Sequence, residues 1–373
     1  MTASLEVVSD TAVYRQGPPN VAPRALSTGL PDAVGIFLIG SAVTNFVSVN
    51  IADQLSLPRL HEDLAQVEAE LLSSVSSEDP FLTEVASHLI TAGGKRLRPA
   101  LSVAAAAVSL PGVPVAFPVI RGACAVELVH LGSLYHDDVI DSALIRRGVE
   151  TVNAKWDNLV AIVSGDYLLA TASGIAASLG TEVAGLLAAT IARLCEGEVL
   201  ELRAAFQTTR TEASYMAAIA GKTASLLAAS CRIGALAASL PRAEVEALTE
   251  FGQAFGMVFQ IVDDINDLVL TEEELGKPAG DLQGGVYNLP VLRALASSEF
   301  GEELGALLGG PIGRPEADKA RAIIRASGGI EAAVLVGRGF ADRAAAAVVP
   351  LGSGPTVTGL ATLGHWLLDT VPI

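Results

Sequence analysis

The sequence predicts an all-α fold, one large single-domain helical bundle, and three observations carry that prediction. Apolar residues fill 51% of the 373 positions but aromatic ones only 5%, so Ala, Leu, Val and Ile must build the core. Ala and Leu lead the helix ranking, and the aromatic and β-branched runs that favour strands are scarce. From about residue 52 onward, apolar residues recur at spacings of three and four almost throughout. No series of alternating segments bounded by turn signals reads as strands.

The elements follow in order. "LPRLHEDLAQVEAELLSSV" spaces Leu and Val at three and four with charges between them. "PFLTEVASHLITAGG" is a second helix, closed by glycines. A third begins near Arg98-Pro99 and runs through "ALSVAAAAVSL" to a "PGVP" break. A long helix starts near Pro118, with proline at a first-turn position, and reaches the aspartates at 137–141. Further helices are predicted over about 157–180, 181–206, 212–239, 242–269, 288–309, 315–326, 329–347 and 354–370. Short breaks between apolar helices read as one bundle over residues 51–373.

Residues 1–50 read as an extension. Positions 1–32 are rich in Pro, Ser, Thr and Gly, a composition that predicts disorder. The apolar run 33–49 falls short of the roughly 20 residues of a membrane span and stands too far from the start for a secretory signal. The net charge of −17 argues against nucleic acid, which needs a basic footprint. Cys124, Cys195 and Cys231 are sparse and lack metal-ligand spacing, which fits a reducing, cytoplasmic setting.

The chemistry gathers in two copies of D-D-x-x-D: Asp137, Asp138 and Asp141, then Asp263, Asp264 and Asp267. Positions i and i+4 share a helix face, so Asp137 and Asp141 lie together, as do Asp263 and Asp267. Such carboxylates repel unless a cation neutralises them. Oxygen-only ligands suit a hard cation, and a few carboxylates plus substrate phosphates is the usual way to hold Mg²⁺. One copy alone reads equally well as a solvated helix end. Two copies, each after an apolar run, fit facing metal-binding walls in a bundle cavity.

Basic residues accompany them. "GGKRLRP" presents Lys95, Arg96 and Arg98 after two glycines, and Arg146 and Arg147 follow the first acidic motif. Lys222, beside Thr223, is isolated in an apolar stretch, and Lys277 follows the second motif. Arginine forks match phosphate oxygens. Carboxylate clusters and basic groups in an acidic chain suggest a substrate carrying diphosphates, and no Walker loop or dinucleotide turn points to nucleotides.

Over about residues 53–370 the chain resembles the trans-type isoprenyl diphosphate synthases (polyprenyl synthetases). The resemblance rests on "GGKRLRP", "ELVHLGSLYHDDVID" with "RRG", "GDYLLA", "GKTASLL", "FQIVDDINDL" and "LGKPAGDLQGGVYNLP", in that order. It implies the isoprenoid synthase type of all-α bundle, around a deep central cavity, in a homodimer. It implies Mg²⁺ on Asp137, Asp141 and Asp263, supported by Asp138, Asp264 and Asp267. Arg146, Lys222, Thr223, Gln260 and Lys277 would hold an allylic diphosphate; Lys95, Arg98, His130 and Arg147 would hold isopentenyl diphosphate. Lys222 and the four aspartates Asp137, Asp138, Asp263 and Asp264 would serve the chemistry with Asp141. The family often has Lys-x-Thr before "LP" where this chain has Val286 and Asn288, which removes one diphosphate contact.

Short-product members often place a bulky aromatic four or five positions before the first aspartate. Here stand Ser133 and Gly132, with Val129 a further turn down; five helical residues span about 7.5 Å. The expectation is an open tunnel and a product of about thirty carbons or more. Tyr135 or a residue from another helix is the alternative stop. A short-chain synthase, a terpene cyclase and a non-catalytic partner subunit are the rival functions; a helical membrane protein is the structural one. Membrane contact is expected only peripherally, through a lipid product.

Overall fold

A computed structural model of the chain describes residues 54–271 and 280–372. The expected extension over 1–50, its apolar run and Lys277 lie outside the described residues. The described residues belong to one compact unit. It begins with α1 (Leu60–Ser74), α2 (Pro80–Thr91), α3 (Leu97–Ala106) and the long α4 (Phe117–Ile140). A two-residue hairpin, β1 (Ile145–Arg146) and β2 (Val149–Glu150), leads to the single turn α5 (Val152–Lys155). Then come α6 (Asn158–Ser178), α7 (Thr181–Ala204), α8 (Glu212–Ile219), α9 (Ser225–Ala237) and α10 (Arg242–Val269). The chain closes with α11 (Leu289–Leu295), α12 (Gly301–Leu307), α13 (Arg314–Ala326), α14 (Gly329–Val348) and α15 (Pro355–Asp369).

Local signals set the helix starts. Asp79 caps α2 by accepting from the Phe81 amide at 2.8 Å, with Pro80 in the first turn. Asp157 caps α6 through the Val160 amide at 2.8 Å, and Thr211 caps α8 through that of Ser214 at 3.1 Å.

Three differences from the sequence reading have local causes. The predicted helix 288–309 is split into α11 and α12, because Ser297 Oγ accepts from the amides of Glu299 and Phe300 and draws the chain into a turn. The run 212–239 stays helical but widens to a π turn at Ala220–Ala224, around Lys222. The hairpin at 145–150 was not predicted; Arg147 (φ 54°) and Gly148 (φ 77°) form its left-handed two-residue turn.

Two apolar clusters fill the bundle. One gathers α3, α9, α10, α11, α14 and α15; the other gathers α1, α2, α4, α6 and α7. α4 is central and buries Val119, Ile120, Ala123, Val126, Leu128 and Leu131. These positions go around the axis, which is how a helix buried on all sides reads. By length and composition α4 and α6 could each cross a membrane, but α4 is a core helix of this bundle. α4 packs chiefly on α6, and α10 on α9 and α14.

α7 and the π turn meet backbone to backbone at Gly197 and Gly221. A Cβ on Gly197 would stand 2.4 Å from the Lys222 amide nitrogen and 2.7 Å from the Ala218 carbonyl. Neither neighbour is a flexible side chain, so this crossing admits no larger residue. Gly197→Ala is predicted to cost about 1–3 kcal/mol and to lower Tm by several degrees. Thermal unfolding followed by circular dichroism checks this; an unchanged Tm would contradict the contact.

Candidate active site

The two D-D-x-x-D motifs end α4 and α10, and each divides into outward and inward carboxylates. Asp137 is half-buried, and Asp141 and Asp263 are exposed. Burial, above all, pushes the Asp137 carboxyl up to about 6; Glu198 and Asp141 add to this, while Lys222 and Arg146 oppose it. Asp138, Asp264 and Asp267 are buried. Asp138 Oδ1 accepts from Arg146 Nε at 2.6 Å. Asp264 accepts from Tyr215 Oη at 2.5 Å and from Gln260 Nε2 at 2.7 Å. Burial pushes its carboxyl up to about 7 against those two bonds. Asp267 Oδ2 accepts from the Asp281 amide at 3.3 Å.

Of the six expected aspartates, Asp138, Asp264 and Asp267 each accept a hydrogen bond from the protein, while one Asp138 oxygen, Oδ2, is buried without such a partner. Among the described residues no three His, Cys, Asp or Glu stand close enough to hold a metal ion by themselves. Asp137, Asp141 and Asp263 still fit a hard cation, because they offer oxygen alone. The missing ligands would be substrate oxygens.

Lys222 rides on the π turn, where the Gly197–Gly221 crossing sets it over α7. Its Nζ lies 2.6 Å from Glu198 Oε2 and 2.7 Å from Glu201 Oε2. Burial opposes its charge, but Glu201 and Glu198 outweigh burial and raise the ammonium above its ordinary value. Next to it, Thr223 Oγ1 donates to Gln260 Oε1 at 2.6 Å. A chain of hydrogen bonds thus runs Thr223–Gln260–Asp264–Tyr215. At the departure from the family pattern, buried Asn288 donates Nδ2 to the Asp264 carbonyl at 3.2 Å, pinning the end of α10; Val286 is half-buried.

The basic groups of "GGKRLRP" divide as well. Arg96 is buried against Glu68, Glu127 and the Ile90 carbonyl, so it is structural. Arg98 and Lys95 line a pocket of about 310 Å³ with His130 and Arg147. Burial pushes Arg98 down to about 10, against the pull of Glu127, which leaves it charged at neutral pH. Burial, then Arg98 and Arg147, hold the His130 imidazole well below its usual range, so it is neutral. Lys95 is exposed and within electrostatic reach of Asp263. Arg147 Nη1 donates to the carbonyls of Leu89, at 3.0 Å, and Gly93. Gly94 leaves room for it: a Cβ there would lie 2.9 Å from the Arg147 guanidinium carbon.

A second cavity, of about 380 Å³, opens among α4, α6 and α7. Asp137, Glu198 and Lys222 mark its charged end; Val129, Ser133, Leu134, Leu169, Ile191 and Leu194 form apolar walls. Arg98 and His130 line both this cavity and the basic pocket, so the two spaces meet there. Val129 lies about 12 Å below Asp137 along α4. Of the three expected length-setting residues, Val129 and Ser133 line the cavity and Gly132 does not. Gly132 is turned into the α4–α6 contact, where a Cβ would stand 3.0 Å from the Gly165 carbonyl and 3.1 Å from Leu169 Cγ. Tyr135, the alternative stop, is buried elsewhere and donates its hydroxyl to the Val85 carbonyl at 2.7 Å.

Glu127, Glu198 and Glu201 went unread in the sequence. The available signal was an acid inside an apolar helix: Glu127 one turn before His130, and Glu198 and Glu201 one turn apart.

The polyprenyl synthetase family profile matches residues 79–325. The chain belongs to the polyprenyl synthetase family. It is 37% identical over 290 residues to nonaprenyl diphosphate synthase of Mycobacterium tuberculosis, covering 77% of this chain and 86% of that one. It is 45% identical over 250 residues to heptaprenyl diphosphate synthase component 2 of Geobacillus stearothermophilus, covering 66% and 77%. Its fold matches the polyprenyl synthase of Caulobacter crescentus CB15, crystallised with calcium and isoprenyl diphosphate. That match has a TM-score of 0.79 at 32% identity, over 85% of this chain and 97% of that one.

The facing of α4 gives a prediction for this polyprenyl synthetase that needs no assay. Gly132→Phe drives a ring into the Gly165 backbone and lowers Tm sharply, by an overpacking cost of about 3 kcal/mol or more. Ser133→Phe, one position on, projects into the cavity and leaves Tm near that of the parent. Equal melting temperatures for the two variants would contradict the assigned faces.

Proposed function

We propose that the chain is a prenyltransferase that condenses isopentenyl diphosphate with an allylic diphosphate, head to tail. The reaction depends on Mg²⁺, and the product is a trans-polyprenyl diphosphate of about thirty carbons or more, set by an apolar space at least about 12 Å deep. The observation that carries this reading is the meeting of two cavities at Arg98 and His130, one lined mainly by basic side chains and one with Asp137, Glu198 and Lys222 above apolar walls. Two anionic substrates bound there would lie side by side, and proximity supplies much of the rate. The names of the relatives, heptaprenyl and nonaprenyl diphosphate synthase, support the long product.

Asp137, Asp141 and Asp263 would hold Mg²⁺, which when bound draws charge from the departing diphosphate. Arg146, Lys222, Thr223, Gln260 and Lys277 would grip the allylic diphosphate. Asp138 keeps Arg146 in place, and Asp264 keeps Gln260 in place, each through the bonds given above. Lys95, Arg98 and Arg147 would bind isopentenyl diphosphate, with neutral His130 donating an N–H without adding charge. Apolar side chains below Asp137 exclude water from the allylic cation. The released diphosphate takes the final proton, so no protein base is required.

A homodimer is supported by apolar side chains left at the surface of α6 and α7. Leu159, Ile162 and Val163 of α6 are exposed, while the exposed Val199 and Leu202 of α7 also line the cavity, and α6 carries one charged residue, Asp166, in its length. A second copy of this chain fits that face; the component 2 relative makes a different subunit the competing occupant. We place the enzyme in the cytoplasm, touching membrane only through its product.

The test is incubation with labelled isopentenyl diphosphate, Mg²⁺ and allylic primers of several lengths, followed by chromatography. Long products are expected, and none after chelation of the metal. Products that stop at fifteen or twenty carbons would overturn the length, and no condensation with any primer would overturn the reaction. In the same assay Ser133→Phe is predicted to shorten the product while retaining the first condensation.

A further inference from the structure

The basic pocket holds one carboxylate, and nothing in the reaction described so far uses it. Glu127 is buried in the middle of α4, one turn before His130 and on the same face. Its Oε1 lies 3.0 Å from Arg96 Nη1 and 4.0 Å from Arg147 Nη2, and Oε2 is buried with no hydrogen-bond partner among the described residues. Arg96 has other partners as well. Both oxygens of Glu68 already engage that guanidinium, and the Ile90 carbonyl accepts a further bond at 2.9 Å. Oε1 thus serves Arg96, while Oε2 is left over, and a buried carboxylate oxygen with no hydrogen bond calls for another partner.

Arg98 and Arg147 are that partner. They line the same pocket as Glu127, Arg147 Nη2 lies 4.0 Å from its Oε1, and its negative charge favours the charged form of both arginines. Arg147 Nη1 is tied to the Leu89 and Gly93 carbonyls, which leaves its Nη2 edge toward Glu127. Arg98 Nε is buried without a hydrogen-bond partner. Arg147 stands at the tip of a two-residue turn with φ 54°, a conformation that a residue with a side chain adopts at a cost.

We propose that Glu127 is a positioning residue for isopentenyl diphosphate: its carboxylate holds the Arg98 and Arg147 guanidinium groups together against the pocket, where the diphosphate oxygens bind. The proposal rests on the assignment of this pocket under Proposed function. It also has a sign that simple charge counting does not share. Removing a carboxylate makes the pocket more positive, so a residue that only offsets charge would, when neutralised, tighten binding of an anion. A positioning residue would loosen it.

The experiment uses the full chain with Mg²⁺ and compares parent, Glu127→Gln, Glu127→Asp and Glu68→Gln. For Glu127→Gln the KM for isopentenyl diphosphate is expected to rise about tenfold or more, with the KM for the allylic primer within about twofold. Glu127→Asp keeps the charge one methylene short and gives an intermediate rise; it also serves if the Gln variant does not fold. Glu68→Gln, which removes the other carboxylate on Arg96, is expected to lower Tm and leave both KM values in place. A KM for isopentenyl diphosphate that is unchanged or lower in the Glu127 variants overturns the proposal, as does an equal rise in both KM values. No condensation by the parent would overturn the assigned reaction instead, so the two failures are separate.

Discussion

Negative charge at the carboxyl ends of two core helices is the constraint on which this structure depends. α4 and α10 finish on D-D-x-x-D, where the helix dipole is already negative and disfavours anions. Burial of neighbouring apolar residues worsens the repulsion, and the Asp137 carboxyl responds by rising to about 6. A fold that places charge so unfavourably gives up stability there, which is the pattern expected of a functional site. Within the protein Asp138 pairs with the Arg146 charge, and Asp264 accepts hydrogen bonds from Tyr215 and Gln260. In the proposed reaction the outward aspartates would meet a cation and its diphosphate.

The same balance extends to the lysine and arginines. Lys222 shares two carboxylates of α7, so its charge is already matched before any substrate arrives. Binding an anion there requires Glu198 and Glu201 to be compensated in turn, which links the lysine to the cation site proposed beside Asp137. The basic pocket solves the opposite problem. Arginines crowd into a buried space, one carboxylate lies among them, and the histidine stays neutral, so the charges remain available without forcing the pocket apart.

Much of this was legible because periodicity and spacing are local. The long helices, their caps and the face shared by Asp137 and Asp141 follow from i, i+3 and i+4 relations. What stayed hidden depends on neighbours distant in sequence. Ser133 and Gly132 differ by about 100° around the helix, and only the packing of α6 against α4 decides that serine faces the cavity and glycine the Gly165 backbone. Arg96 looked equivalent to Arg98 until Glu68 and Glu127, from α1 and α4, closed around it. The hairpin was too short to show alternation, yet its left-handed Arg147 aims a guanidinium at the pocket. The π turn likewise leaves no composition signal, because it arises where two glycine backbones cross.

The claim that the paired helix ends bind diphosphate through a cation is tested most directly by calorimetric titration of the protein with inorganic diphosphate, with and without Mg²⁺. Binding should require the metal, and Asp137→Asn should weaken it about tenfold or more, as expected when a charged ligand is removed. Diphosphate that binds equally well without Mg²⁺, or to the Asn variant with unchanged affinity, would contradict the account.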